Sequence, residues 1–193
     1  MNTRRLTALV TALIALGFAG QALALDGYRD RRGLFYGLGL GGGSFQPDDD
    51  DADSSLGFHL RGRIGGGVNE RVTLDGELGW RFHSEERNLG LGEITLDYDI
   101  ITAFVGGNFF VFDGLYIRAM GGLAHMIVEA ETTGGITGSG EDSETGLGLG
   151  FGVGYEFFAT SDLAIGIGAD YQLLMFDEGD ASLINFGVQA TWY

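Results

Sequence analysis

Three histidines, His59, His83 and His125, carry the side chains whose ordinary pKa suits proton transfer near neutral pH. His83 is followed by Ser84 and Glu85, which places a base beside a hydroxyl and a carboxylate, the residue types that acyl hydrolysis uses. Neighbouring residues of a strand point to opposite faces, so the trio could converge only if a strand ended at His83. The acidic run Asp48, Asp49, Asp50 and Asp51, with Asp53, invites a hard divalent cation. An EF-hand is excluded: no glycine follows Asp53, and Leu60 stands where the closing glutamate belongs. The sequence has no cysteine, so neither a disulfide framework nor a thiolate metal site is available, and no cofactor is expected.

A larger constellation of charge is spread at every second position. It comprises His59, Arg61 and Arg63, then Asp75, Glu77, Arg81 and His83, then Asp97 and Asp99, followed by Arg118, Glu156 and Asp170, with Gln172 beside the last. Most of these residues alternate with large apolar ones, as Glu77 does with Leu78 and Arg81 with Trp80 and Phe82. A period of two puts the two classes on opposite faces of a strand. Residues 145–157 and 163–173 repeat the pattern with Gly146, Gly148, Gly150, Gly152 and Gly154 on the face opposite Leu147, Leu149, Phe151, Val153 and Tyr155. Such strands need an apolar environment on one side and a narrow polar space on the other, as in a transmembrane barrel. Eight strands leave an interior about wide enough to be filled by side chains, so the charges are expected to pair as a plug, since a lone buried charge is costly. A gated ion path is the alternative use of the same face.

Eight strands are predicted, over residues 34–43, 56–68, 72–83, 94–112, 115–130, 145–158, 163–176 and 182–193. Most exceed the ~9 to 11 residues that a tilted membrane strand requires. Their connections alternate in length. Residues 44–55, 84–93, 131–144 and 177–181 form polar loops, the third of them glycine-rich and suited to a mobile contact surface, whereas 69–71, 113–114 and 160–162 are tight turns. Asp113-Gly114 between two apolar alternations is a two-residue hairpin signal. In strand four Ile100 adjoins Ile101, and residues 109–112 are continuously apolar, so its register stays open between a bulge and a rim at the membrane boundary. The aromatics Tyr36, Trp80, Phe82, Tyr98, Phe112, Phe157, Tyr171 and Trp192 are candidates for interfacial girdles. A soluble, ligand-holding barrel would invert the alternation. It would turn the glycine rows to water, where they weaken strands, and crowd the large side chains into a narrow interior.

Residues 1–24 read as a cleaved secretory leader, with Arg4 and Arg5 ahead of an apolar stretch and Ala22-Leu23-Ala24 as the cleavage site. Residues 25–193 are then a single barrel domain. The chain carries 11 arginines, no lysine and 27 acids, for a formal net charge of −16. Nucleic acid is excluded as a partner, because its phosphates would be repelled.

Leader, strand count, loop rhythm and aromatic carboxyl terminus together resemble the small eight-stranded outer-membrane barrels of the OmpA and OmpX type, often grouped as surface or opacity-like proteins. The resemblance covers residues 34–193 and implies an all-β, eight-stranded antiparallel up-and-down barrel in a Gram-negative outer membrane. It further implies a monomer with both termini in the periplasm, assembled by the barrel-assembly machinery and surrounded by outer-membrane lipid and lipopolysaccharide. The expected role is structural or surface-interacting, with the acidic loops outside the cell facing an extracellular partner; the aspartate run at 48–53 is read as a solvated acidic loop, and loose Mg²⁺ or Ca²⁺ association bridging it to lipopolysaccharide phosphates is the alternative. A narrow pore is the alternative. Outer-membrane enzymes that acylate or deacylate lipid A are of similar size, but the deacylases' His-x-Ser motif is missing after all three histidines. The family's terminal aromatic usually continues the outward face, whereas Tyr193 falls in register with Asn185, Gln189 and Thr191.

Overall fold

The computed structural model describes residues 31–47, 54–88, 92–134, 138–177 and 179–193. The expected leader and the aspartate run at 48–53 lie outside them. Eight strands follow one another: β1 (Gly33–Pro47), β2 (Ser55–Gly67), β3 (Val72–Asn88), β4 (Gly92–Phe110), β5 (Leu115–Gly134), β6 (Gly138–Phe158), β7 (Leu163–Met175) and β8 (Asp180–Trp192). Each pairs antiparallel with the next, and β8 returns to β1 from Tyr36↔Trp192 to Pro47↔Ala181, closing the barrel. Closure leaves every strand with two neighbours, which satisfies the backbone groups that hydrocarbon cannot.

The three short turns lie at one end. Val68 donates its amide to Val72 O at 2.8 Å, Val111 to Leu115 O at 2.8 Å and Ala159 to Leu163 O at 2.8 Å. Asn69 Oδ1 accepts from the amides of Arg71 and Val72, and Thr160 Oγ1 from that of Leu163. These are the local side-chain bonds that make Asn and Thr good turn residues. The other four connections, between Pro47 and Ser55, Asn88 and Gly92, Gly134 and Gly138, and Met175 and Asp180, lie at the opposite, loop end.

The strands β3 to β6 run further toward the loop end than their polar sequences suggest. The expected loops at 84–93 and 131–144 are largely strand: Asn88 pairs with Glu93, and Thr132 with Gly138. The β2–β3 register stops at Gly57↔His83 and the β6–β7 register at Leu147↔Met175. A four-stranded wall therefore stands above the rest of the barrel where a mobile third loop was expected. The β3–β4 and β4–β5 registers run without interruption, so β4 contains no bulge. Phe109 faces out, Phe110 faces in and Phe112 lies exposed in the turn, which makes this run the rim.

Leu38, Leu60, Leu78, Val105, Leu149, Phe151 and Val188 are exposed on the outer wall, while charged and amide side chains are buried inside. A soluble barrel would show the reverse. Tyr36 stacks on Trp192 with centroids 5.4 Å apart, and Trp80 contacts Phe82 at 4.4 Å. Tyr98, expected in an outer girdle, turns inward instead and packs on Phe45 at 5.0 Å. The glycines of β6 line the interior because large neighbours need their space. A Cβ at Gly148 would stand 2.5 Å from Phe104 Cζ, and one at Gly150 2.7 Å from Met120 Cε.

Candidate functional site

The interior is built in two layers. The layer nearer the turns is polar, because the inward positions of β2, β3, β5 and β7 carry charge. Arg118 on β5 reaches across β4 to β3, where Nη2 meets Asp75 Oδ1 at 2.6 Å and Nη1 meets Oδ2 at 2.8 Å. This bidentate geometry is the strong form of the arginine–carboxylate pair. Gly106 on β4 lets the guanidinium pass; a Cβ there would sit 3.3 Å from Arg118 Nη2. Glu77 Oε2 lies 3.3 Å from the same nitrogen. Asn108 on β4 completes the group, accepting from Arg118 at 3.0 Å and donating to Thr73 at 2.9 Å.

A second group joins β2 to β7 and β8. Arg61 Nη1 lies 2.9 Å from Asp170 Oδ1, and Asp170 Oδ2 accepts from Gln172 and Asn185, each at 2.8 Å. A third closes the turn end: Arg31 Nε meets Glu156 Oε1 at 2.7 Å, Tyr193 donates its hydroxyl to the same oxygen at 2.8 Å, and the Arg31 guanidinium lies 3.9 Å over the Phe110 ring. Burial and the Glu156 carboxylate push the Tyr193 hydroxyl above the ordinary tyrosine range, so it stays a donor. Arg63 donates to Thr191 at 3.3 Å and Arg81 to Thr102 at 2.9 Å. Gln189 donates to the Tyr116 hydroxyl at 2.9 Å. His59 and His83 are buried without a carboxylate partner among the described residues.

Toward the loops the interior turns apolar. Phe45, Ile100, Phe104, Met120, Leu174 and Leu183 form one buried cluster, with Tyr98 and Met126 packed against it. Above it a cavity of about 270 Å³ opens between Met126, Val128, Asp142, Glu144 and Asp177.

The interior therefore holds His59, Arg61, Arg63, Asp75, Glu77, Arg81, Arg118, Glu156 and Asp170. Asp97 and Asp99 belong elsewhere. The register pairs Arg81 with Ile100 and Phe82 with Asp99, which sends Ile100 inward and both aspartates to the outer face, where Asp97 is exposed. The alternation of Tyr98 and Ile100 resembles a lipid face, but here it serves the apolar layer inside. Arg31, Asn108 and Asn185 join the network from positions that charge patterning does not single out. Doubled apolar residues, Ile100-Ile101 and Leu183-Ile184, were the available signal for the inner layer.

The hydrolytic trio does not form. The strand continues past His83, so His83 points in and Ser84 out. His125 lies on the outer face, its Nδ1 2.8 Å from Thr145 Oγ1.

A family model described as outer membrane protein beta-barrel domain matches residues 10–191. Among solved structures, the attachment invasion locus protein Ail of Yersinia pestis is 17% identical with a TM-score of 0.59, covering 82% of this chain and 98% of that one. The same protein in complex with the heparin analogue sucrose octasulfate gives a TM-score of 0.57 at 17% identity, covering 82% and 97%. Neisserial surface protein A is 12% identical with a TM-score of 0.52, covering 82% and 96%. No curated protein matches the chain.

Proposed function

The chain belongs to the outer membrane protein β-barrel domain family and resides in the outer membrane; from that premise we propose that it is a monomeric, non-enzymatic barrel that works through an acidic surface outside the cell. The observation that carries this reading is the wall formed by the upper ends of β3 to β6. It bears Asp97 and Asp99 on β4 and Glu129 on β5 on its outer side, with Asp97 and Glu129 directly opposed in the register. Opposed like charges weaken a sheet. An acidic wall is thus kept at some cost to stability, which suits a contact surface.

A plugged lumen is supported by the stacking of an ion-paired layer beneath an apolar one, because an ion crossing the barrel would have to shed water against Phe104 and Leu174. The separate fates of the three histidines support a non-enzymatic role. The acids also set the sign of a partner: a basic surface, or one bridged by divalent cations, is favoured over a polyanion of the kind seen with Ail.

Purified barrel in a planar bilayer should show no steady conductance. In vesicles it should retain a lysine-rich peptide at low salt, release it at high salt, and fail to retain heparin in the absence of divalent cations. Steady conductance would make the narrow pore the better reading, and retention of heparin alone would reverse the predicted sign.

A further inference from the structure

The apolar layer is covered unevenly at its upper edge. β7 leaves β6 at Leu147↔Met175, whereas β5 and β6 stay paired as far as Thr132↔Gly138. Met126 and Val128, on the inner side of β5, are therefore only half-buried, although Ile100, Leu174 and Phe176 of the layer beneath are buried. Phe176 fills the space over Gly146, where a Cβ would stand 2.7 Å from its Cδ1, and so closes the interior from below. What remains above is the cavity of about 270 Å³, with Met126 and Val128 as its floor. Apolar side chains left facing water regain the benefit of burial only when something apolar is laid on them.

The rim of this cavity has one sign. Along the inner row of β6 the glycines end at Gly146, and the next two inward positions are Glu144 and Asp142, which the register sets opposite Met126 and Val128. Asp177, just beyond β7, closes the other side, and Ser143 adds a hydroxyl. The amide of Ser143 donates to Asp142 Oδ1 at 2.8 Å, which fixes that carboxylate at the rim. The described lining thus joins two apolar side chains to three carboxylates and holds no cation. A metal ion is a poor occupant, because among the described residues no three carboxylates or imidazoles stand close enough to ligate one. A neutral apolar group would leave the rim carboxylates partly desolvated with nothing in exchange.

We propose that this cavity is a socket for one lysine or arginine side chain of a polypeptide partner, the apolar stem lying on Met126 and Val128 and the cationic head reaching the carboxylates of Asp142 and Asp177. Both side chains combine a stem that covers apolar surface with a charged end that stays at a polar edge, and the floor and rim match that division. The volume sets the size of the guest. It falls below the roughly 300 Å³ at which pockets take drug-sized ligands, so it accepts a side chain and leaves the rest of the partner outside. The inference rests on the reading of a basic partner at the loop end, and it gives that partner a point of entry on the inner side of the wall, distinct from Asp97, Asp99 and Glu129 on the outer side.

The test uses the whole barrel in zwitterionic nanodiscs, with Met and Val methyls labelled for NMR. Added n-butylammonium, which is the lysine side chain cut free, should shift the Met126 and Val128 methyls saturably, and n-butanol at the same concentration should not. Affinity should rise from ethylammonium to butylammonium by roughly fourfold per methylene, because the stem is buried. Asp142→Asn with Asp177→Asn should weaken butylammonium binding by about tenfold, and Asp97→Asn with Glu129→Gln should leave it unchanged. A lysine-rich peptide should shift the same two methyls and compete with butylammonium. Silent methyls, equal responses to butanol and butylammonium, or a double-asparagine barrel that binds as the parent does would each overturn the socket. Retention of the peptide with both methyls silent overturns the socket and leaves the basic-partner reading standing. Methyls that answer butylammonium on a barrel that retains no peptide support the cation site and overturn that reading instead.

Discussion

Arg118 has the most demanding position of any single side chain in the barrel. It crosses a whole strand to hold Asp75 with both nitrogens and Glu77 with one, and all three are buried. Arg118→Ala would leave two carboxylates buried without their cation, so reversible urea unfolding in vesicles should register a loss of roughly 3 to 5 kcal/mol. Parity with the parent barrel would show that the interior is not held by this pair. That Arg118, Asp75 and Glu77 share a face follows from a period of two alone; which of them pair does not, because the reach of a guanidinium across a glycine is a tertiary event. Asp97 and Asp99 could not be placed by the same logic. β4 carries apolar residues on both faces, and nothing local says which row meets lipid. Arg31 lies ahead of the first strand, where no periodicity applies.

Among elements, β6 shows most directly how sequence becomes packing. Its inward glycines receive Met120 and Tyr116 from the adjacent β5 and Phe104 from β4, one strand further on. Gly148→Val should therefore overpack the interior and cost ~1 to 3 kcal/mol in the same unfolding assay. Gly140→Ala, where a Cβ meets nothing within 4 Å, should change stability by no more than about 0.5 kcal/mol. On the other face of β6, Leu149→Arg should cost ~2 to 4 kcal/mol near the midplane, because there the charge meets hydrocarbon. Strand number and the three tight turns were legible because lipid outside and a narrow space inside force strict alternation. The loop-end extensions of β3 to β6 were not. Beyond the lipid both faces meet water, the apolar signal disappears, and backbone pairing continues without it.

At the scale of the whole molecule, the charge of −16 cannot reside in the interior, whose described polar layer carries more cations than acids. Among the described residues outside it, Asp97 and Glu129 are exposed toward the loop end, above the apolar outer wall. The proposed surface role requires the loop end to stand outside the cell and the turns inside. Cysteines introduced at Asn88 and Gly179 should then react with an impermeant thiol reagent on intact cells, while cysteines at Asn69, Asp113 and Ser161 should react only after the outer membrane is opened. The chain has no cysteine of its own, so the labelling has no background from the protein itself. Reaction of the turn positions on intact cells, with silence at Asn88 and Gly179, would invert the barrel. The acidic wall would then face the periplasm, and the surface-interaction reading would fail even though the fold stood.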